Sequence, residues 1–134
     1  MAENCIFCAI ADRTAAAEVV GADAHTIAFL DINPATRGHT LVIPRSHSEN
    51  LLTIPVDDLH RVTEMAQRIA ARMPDALGAA GVNLINSCGA AAWQTVSHFH
   101  LHVVPRYEDD PLRLPWVPAP ASSEDLAHTA ELLR

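Results

Sequence analysis

The sequence predicts an α+β fold: an antiparallel sheet of about five strands backed by one main helix and followed by a Pro-rich tail. Three observations predict it. Short apolar runs of β-tolerant residues recur between turn residues, one segment carries apolar side chains at three-to-four-residue spacing, and no internal repeat or linker divides the chain into two cores. A length of 134 residues suits one domain, and 49% hydrophobic against 19% charged residues suffices for a core.

Glu18 to Gly21 and Thr26 to Leu30 read as a hairpin around Gly21-Ala22-Asp23. Asp31-Ile32-Asn33-Pro34 reads as a turn, and Gly38 to Pro44 as a third strand that Pro44 ends or places at an edge. From Pro55 the period changes: Leu59, Val62, Met65, Ala66 and Ile69 share a helical face. Asp57 and Asp58 occupy the first turn, where the helix dipole favours carboxylates, and Pro74 stops or kinks the helix. Val82 to Ile85 gives a fourth strand and His98 to Val104 a fifth, strictly alternating and closed by Pro105. Residues 1–106 thus hold the sheet and main helix, and 107–134 form a tail of the same domain. Four prolines in PLRLPWVPAP keep that tail extended, and Ser122 or Ser123 caps a short helix ending at Leu132-Leu133.

Sixteen acidic against nine basic side chains give a formal charge of −7, so a nucleic-acid backbone is repelled on balance. Every cation is arginine. The absence of lysine excludes Schiff-base chemistry and a Walker-A lysine, and there is neither a G-x-G pair nor a G-x-S-x-G elbow. The start, MAENCIFCAIADR, sets Glu3 ahead of a short apolar run where a signal peptide has a basic region, and no run approaches the roughly 20 residues of a membrane span. Three cysteines, an odd number, suit a reducing compartment. A cytoplasmic protein with no nucleic-acid or membrane partner is expected.

The chemistry concentrates in His98-Phe99-His100-Leu101-His102-Val103-Val104. On a strand, the three histidines project from one face at roughly 6.6 Å steps while Phe99, Leu101 and Val103 pack the other. A metal site made of all three is disfavoured, because His98 and His102 then stand about 13 Å apart with parallel side chains and cannot converge on one ion. Cys5-x-x-Cys8 offers two thiolates at the spacing of half a structural zinc site, with His47 and His98 as candidate partners. The alternative is a pair of small buried thiols in a helical turn. A thioredoxin-like redox pair would need a βαβ surround that is missing.

The run H-F-H-L-H-V-V resembles the histidine-triad motif, and the resemblance extends through Gln94-Thr95-Val96, Asn83-Leu84-Ile85-Asn86, Gly38 to Arg45 and Phe29-Leu30-Asp31-Ile32. It covers residues 5 to about 106 and is nearest to the Hint-like bacterial branch. Members of that family are nucleotidyl hydrolases and transferases. The resemblance implies that His100 attacks the α-phosphorus of a nucleoside phosphoramidate or adenylyl compound, forming a covalent nucleotidyl-histidine. His102 would contact the phosphoryl oxygens, Gln94 and Thr95 would bond the phosphate or its bridging atom, and His39 matches a further active-site histidine. Asn86 matches a residue near the phosphate, Asp31 the ribose-binding carboxylate, and Phe29 and Ile32 the walls of the base pocket. The family also implies structural zinc on Cys5, Cys8, His47 and His98, no organic cofactor, and a two-fold dimer in which Trp116 approaches the partner's site. Two departures stand out: the Asn86-to-Gln94 loop is one residue longer than usual, and Trp93 replaces a glycine. A diadenosine polyphosphate hydrolase, or a low-turnover purine-nucleotide-binding module, would use the same residues.

Overall fold

The computed structural model describes residues 4–134. Its elements are α1 (Ile6–Ala11), β1 (Val19–Ala22), β2 (Thr26–Leu30), β3 (Thr40–Pro44), α2 (Val56–Leu77), β4 (Gly81–Ile85), a 3-10 turn (Ala90–Ala92), β5 (Leu101–Arg106) and α3 (Ser123–Leu133). All strand pairings are antiparallel, in the order β1-β2-β3-β5-β4. The expected α+β sheet with one main helix is therefore present.

Both faces of the central strands are covered. On one face Ala28, Val42, Leu101 and Val103 pack with Val62, Met65, Ala66, Ile69 and Met73 of α2. On the other, Ile27, Phe29, Leu41 and Ile43 pack with Phe7, Ile10 and Ala11 of α1. Alternation along β5 then places His100 and His102 on the α1 face.

Several boundaries differ from the sequence reading, each for a local reason. The β1–β2 turn begins at Asp23, whose Oδ1 accepts from the N–H groups of His25 and Thr26 and from the Thr26 hydroxyl. Gly21 stays in β1, where a Cβ would meet Met65 Sδ at 3.0 Å. Helix α2 runs through Pro74, which lies on its exposed face, where a carbonyl without a helical donor is solvated at small cost. It ends at Gly78, φ 73°, as the N–H groups of Gly78 and Ala79 donate to the carbonyls of Pro74 and Met73.

Strand β5 starts at Leu101, not His98, and contains Pro105. The Pro105 carbonyl accepts from the Thr36 hydroxyl at 2.6 Å, on the side where β3 has not yet begun, so no ladder bond needs its missing N–H. Pro44 is the mirror case, its carbonyl directed at His98 Nε2 (2.9 Å) beyond the point where β5 pairs with β3. Strand β3 begins at Thr40, leaving His39 just ahead of it.

After β5 the chain is pinned by Arg106 to Asp110 (2.8 and 2.9 Å) and by the Tyr107 hydroxyl donating to the Arg37 carbonyl (2.6 Å). The Ser122 hydroxyl caps α3, accepting from Asp125 N–H, and α3 buries none of its residues within the chain. Among the described residues, no helix is long and apolar enough to cross a membrane.

Candidate functional site

Two clusters of imidazoles flank Phe7. The first joins Cys5, Cys8, His47 and His98, whose ligand atoms all lie within 4.8 Å of one another. Cys5 caps α1, its Sγ accepting from Cys8 N–H at 3.4 Å, so one turn of helix presents both sulfurs to the same point. His98 is fully buried and its Nε2–H donates to the Pro44 carbonyl, which leaves the Nδ1 lone pair facing the cluster.

The observed separations are 3.4 Å (Cys5 Sγ to His98 Nδ1), 3.4 Å (Cys8 Sγ to His47 Nδ1), 3.5 Å (Cys8 Sγ to His98 Nδ1) and 3.2 Å between the two Nδ1 atoms. A tetrahedron built on ordinary Zn–S and Zn–N bonds has S···N edges of about 3.5 Å and N···N edges of about 3.3 Å. The donor set fits a closed four-coordinate metal, and the sequence-based candidates are the residues brought together.

The second cluster holds the rest of the triad. His100 is buried, and its Nδ1 lies 2.7 Å from the His98 carbonyl. A carbonyl only accepts, so Nδ1 carries the proton and Nε2 keeps its lone pair. His39 accepts the Ala35 N–H at Nδ1 (3.0 Å), which puts its proton on Nε2, and that Nε2–H donates to His102 Nδ1 at 2.9 Å. His102 in turn holds its proton on Nε2. The His98 carbonyl thus sets the His100 tautomer, and the Ala35 amide sets that of His39 and through it that of His102, leaving a lone pair at His100 and a donor at His102 with ring centroids 5.0 Å apart.

Asp31, His39 and His102 also bring ligand atoms within 4.8 Å of one another. The Ala35 amide argues against a metal there, because His39 Nε2 could bind an ion only by moving its proton to Nδ1, against that N–H. Asp31 Oδ2 instead lies 3.7 Å from His39 Nε2, while its Oδ1 accepts from Asn33 N–H.

His100 and His102 line a cleft of about 430 Å³, together with Phe29, Asp31, Ile32 and Thr95 among the residues singled out from sequence. Phe29 is buried and also belongs to the core, whereas Ile32 is 90% exposed at the cleft rim. Phe7, Ile10, Leu41 and Val96 complete the apolar wall; sequence reading missed them because each has the pattern of ordinary core.

Asn86 and Gln94 are not among the lining side chains. The Asn86 amide donates to the His100 carbonyl at 3.0 Å, and its buried Oδ1 has no hydrogen-bond partner. The Gln94 amide donates to the Glu49 and Val96 carbonyls and accepts from Gly89 N–H, tying the 89–94 loop together. In that loop Trp93 is 66% exposed with φ 73°, a left-handed conformation that explains why glycine suits the position.

The triad row is bent, not straight. The chain turns at residues 96–98, Phe99 N–H donates to the Ser48 carbonyl, and His98 leaves the row for the cysteines. Two-residue alternation holds only for His100 and His102.

Burial lowers the pKa of His102 to about 4, helped by His100 and His39 and opposed by Asp31. His39 is also lowered by burial, against the pull of Asp31. Both rings are neutral at pH 7 in the folded protein, whereas the unfolded chain takes up protons below about pH 6.5. Folding stability should therefore be highest above pH 6.5 and fall as pH drops toward 4. In thermal melts across that window, His102→Asn is expected to show a shallower decline than the parent; equal slopes would contradict the assignment.

The sequence matches the HIT domain family over residues 12–109. A HIT family protein from Bacillus anthracis superposes with a TM-score of 0.90 at 37% identity, over 99% of this chain and 96% of that one. A Zn-bound histidine triad family protein from Mycobacterium smegmatis is 41% identical, with a TM-score of 0.80 over 96% of this chain and 95% of that one. A HIT family hydrolase from Clostridium thermocellum is 35% identical, with a TM-score of 0.73 over 85% of this chain and 100% of that one.

Proposed function

Because this chain belongs to the HIT family, we propose that it is a hydrolase acting at the α-phosphorus of a nucleoside phosphoramidate or related adenylyl compound. One observation carries the reading: His100 keeps a lone pair on Nε2 in a buried ring at the cleft wall, beside a His102 whose Nε2–H is a fixed donor.

The nucleobase is placed against Phe29 and the apolar wall, with Ile32 closing the rim and the Asp31 carboxylate accepting from the ribose hydroxyls. His100 Nε2 attacks phosphorus; the N–P bond to the imidazole forms as the bond to the leaving amine breaks, and the amine takes a proton from water. The imidazolium so formed is held by its Nδ1–H on the His98 carbonyl. His102 Nε2–H bonds a phosphoryl oxygen as charge develops, with the Thr95 hydroxyl as a second donor. Water then attacks phosphorus, the Nε2–P bond breaks, and a nucleoside monophosphate leaves with His100 neutral again. His39 orients His102 and Asn86 holds the His100 backbone, while Gln94 shapes the phosphate loop.

A phosphoramidate is favoured over a diadenosine polyphosphate by charge. Among the described residues no arginine lines the cleft, and the chain has no lysine, so N–H and O–H dipoles meet the anion and a chain of several phosphates would lack cations. Steady-state assays on an adenosine phosphoramidate and a diadenosine polyphosphate should give at least about tenfold higher kcat/KM for the former. Preference for the latter overturns the substrate class. Absence of turnover on both, with adenosine monophosphate still bound, would make the protein a nucleotide-binding module.

We assign zinc to the Cys5, Cys8, His47 and His98 cluster, supported by its tetrahedral separations and soft donors. Four protein ligands would leave such an ion no open position, so it would supply structural closure. Residues 1–106 would be the catalytic domain and 107–134 its tail. Exposed Leu84 and Ile85 on edge strand β4 suit a homodimer, expected to scatter light as twice the 14.5 kDa chain.

A further inference from the structure

We infer that Phe7 is a positioning residue through which the metal cluster sets the orientation of the nucleophile. The inference rests on the role given to His100 above. Phe7 lies inside the Cys5-x-x-Cys8 pair, so a metal held by both sulfurs fixes its backbone on either side.

Its ring, buried to 7% exposure, meets three others edge-on: His98 with centroids 6.0 Å apart at 76°, His100 at 5.1 Å and 82°, and Phe29 at 5.5 Å and 67°. The ring is therefore a wedge between the cluster's buried histidine and the attacking imidazole. A second restraint on His100 also starts at the cluster, since its Nδ1–H donates to the carbonyl of His98. Two of the contacts that hold the nucleophile thus run through a residue that is itself in the metal cluster or is flanked by two that are. Edge-to-face contacts are directional, so the wedge restrains the ring's rotation as well as its place. Nucleophilic attack is sensitive to such rotation, because the lone pair must align with the bond that breaks.

Phe7→Leu keeps an apolar side chain in the core but removes the aromatic edge. In the full-length protein, with metal content measured on the same sample, kcat read at saturating substrate, since Phe7 also lines the cleft, is expected to fall about tenfold while one equivalent of zinc is retained. Unchanged kcat would overturn the inference. So would parallel loss of kcat and metal, which would show that Phe7 only supports the cluster.

An independent readout is the imidazole carbon-proton NMR signal of His100. Chelating the metal should shift or broaden it in the parent, and the loaded Phe7→Leu protein should already show that change. A His100 signal indifferent to both treatments sinks the proposal. If the parent turned over neither nucleotide, the hydrolase reading would fail, and the NMR result would still decide whether Phe7 couples cluster to ring.

Discussion

His100→Asn is expected to abolish turnover, with a loss on the order of 10³-fold or more in kcat and little change in binding of adenosine monophosphate. Asparagine retains a side-chain N–H that can donate to the His98 carbonyl, so the fold is spared, but it has no ring nitrogen to form a bond to phosphorus. His102→Asn should cost less, roughly 10²-fold, because it removes one stabilising donor and not the nucleophile. Rapid quench with labelled substrate should trap an acid-labile phosphoramidate adduct on His100, absent from the Asn variant. Near-normal turnover in His100→Asn, or an adduct elsewhere, would point to direct attack by water and falsify the covalent route.

The second large effect concerns the metal. Protein purified without added metal should contain about one equivalent of zinc per chain, and Cys8→Ser should abolish it. Cys8 is 2% exposed and its partners include fully buried His98, so the variant leaves donors facing one another with no ion between them. The expected cost is about 3 kcal/mol or more, near 10 °C in melting midpoint. Elemental analysis and calorimetry check both. A full metal complement in Cys8→Ser, or an unchanged midpoint after zinc removal, would refute the assignment.

Much of this was legible in the sequence because the signals are local. The apolar period of α2, the runs of β2 and β4, and the triad itself each lie within one element, and Cys-x-x-Cys needs only a helical turn. The errors came where a distant partner decides. Pro44 and Pro105 look like strand ends, yet Pro105 sits within a strand because Thr36 and the late start of β3 leave its missing donor unneeded. His98 looks like the first of an even row, and only the placement of α1 and the loop carrying His47 draws it out of line. Gln94 and Asn86 were found by pattern, but their backbone partners at Glu49 and His100 could not be read from spacing. Phe7 carried one sequence signal, an aromatic between paired cysteines, which gains meaning only once His100 is seen beside it.

The two prolines have a further consequence for how the chain avoids mispairing. Strands β3 and β5 meet at only three positions, Thr40 with Val103, Leu41 with His102 and Val42 with Leu101, a short ladder joining segments about 60 residues apart. A slip of one residue would turn His100 and His102 toward α2, burying both among Val62, Met65 and Ile69 without partners. A slip of two in one direction would keep the face but bring both prolines into the ladder, Pro105 opposite Thr40 and Leu101 opposite Pro44. Each places a ring where the neighbouring strand requires an N–H. The pair therefore blocks that slide at both ends of the ladder at once, and replacing both with alanine should yield a chain that refolds more slowly and less uniformly, even if its native sheet is unchanged.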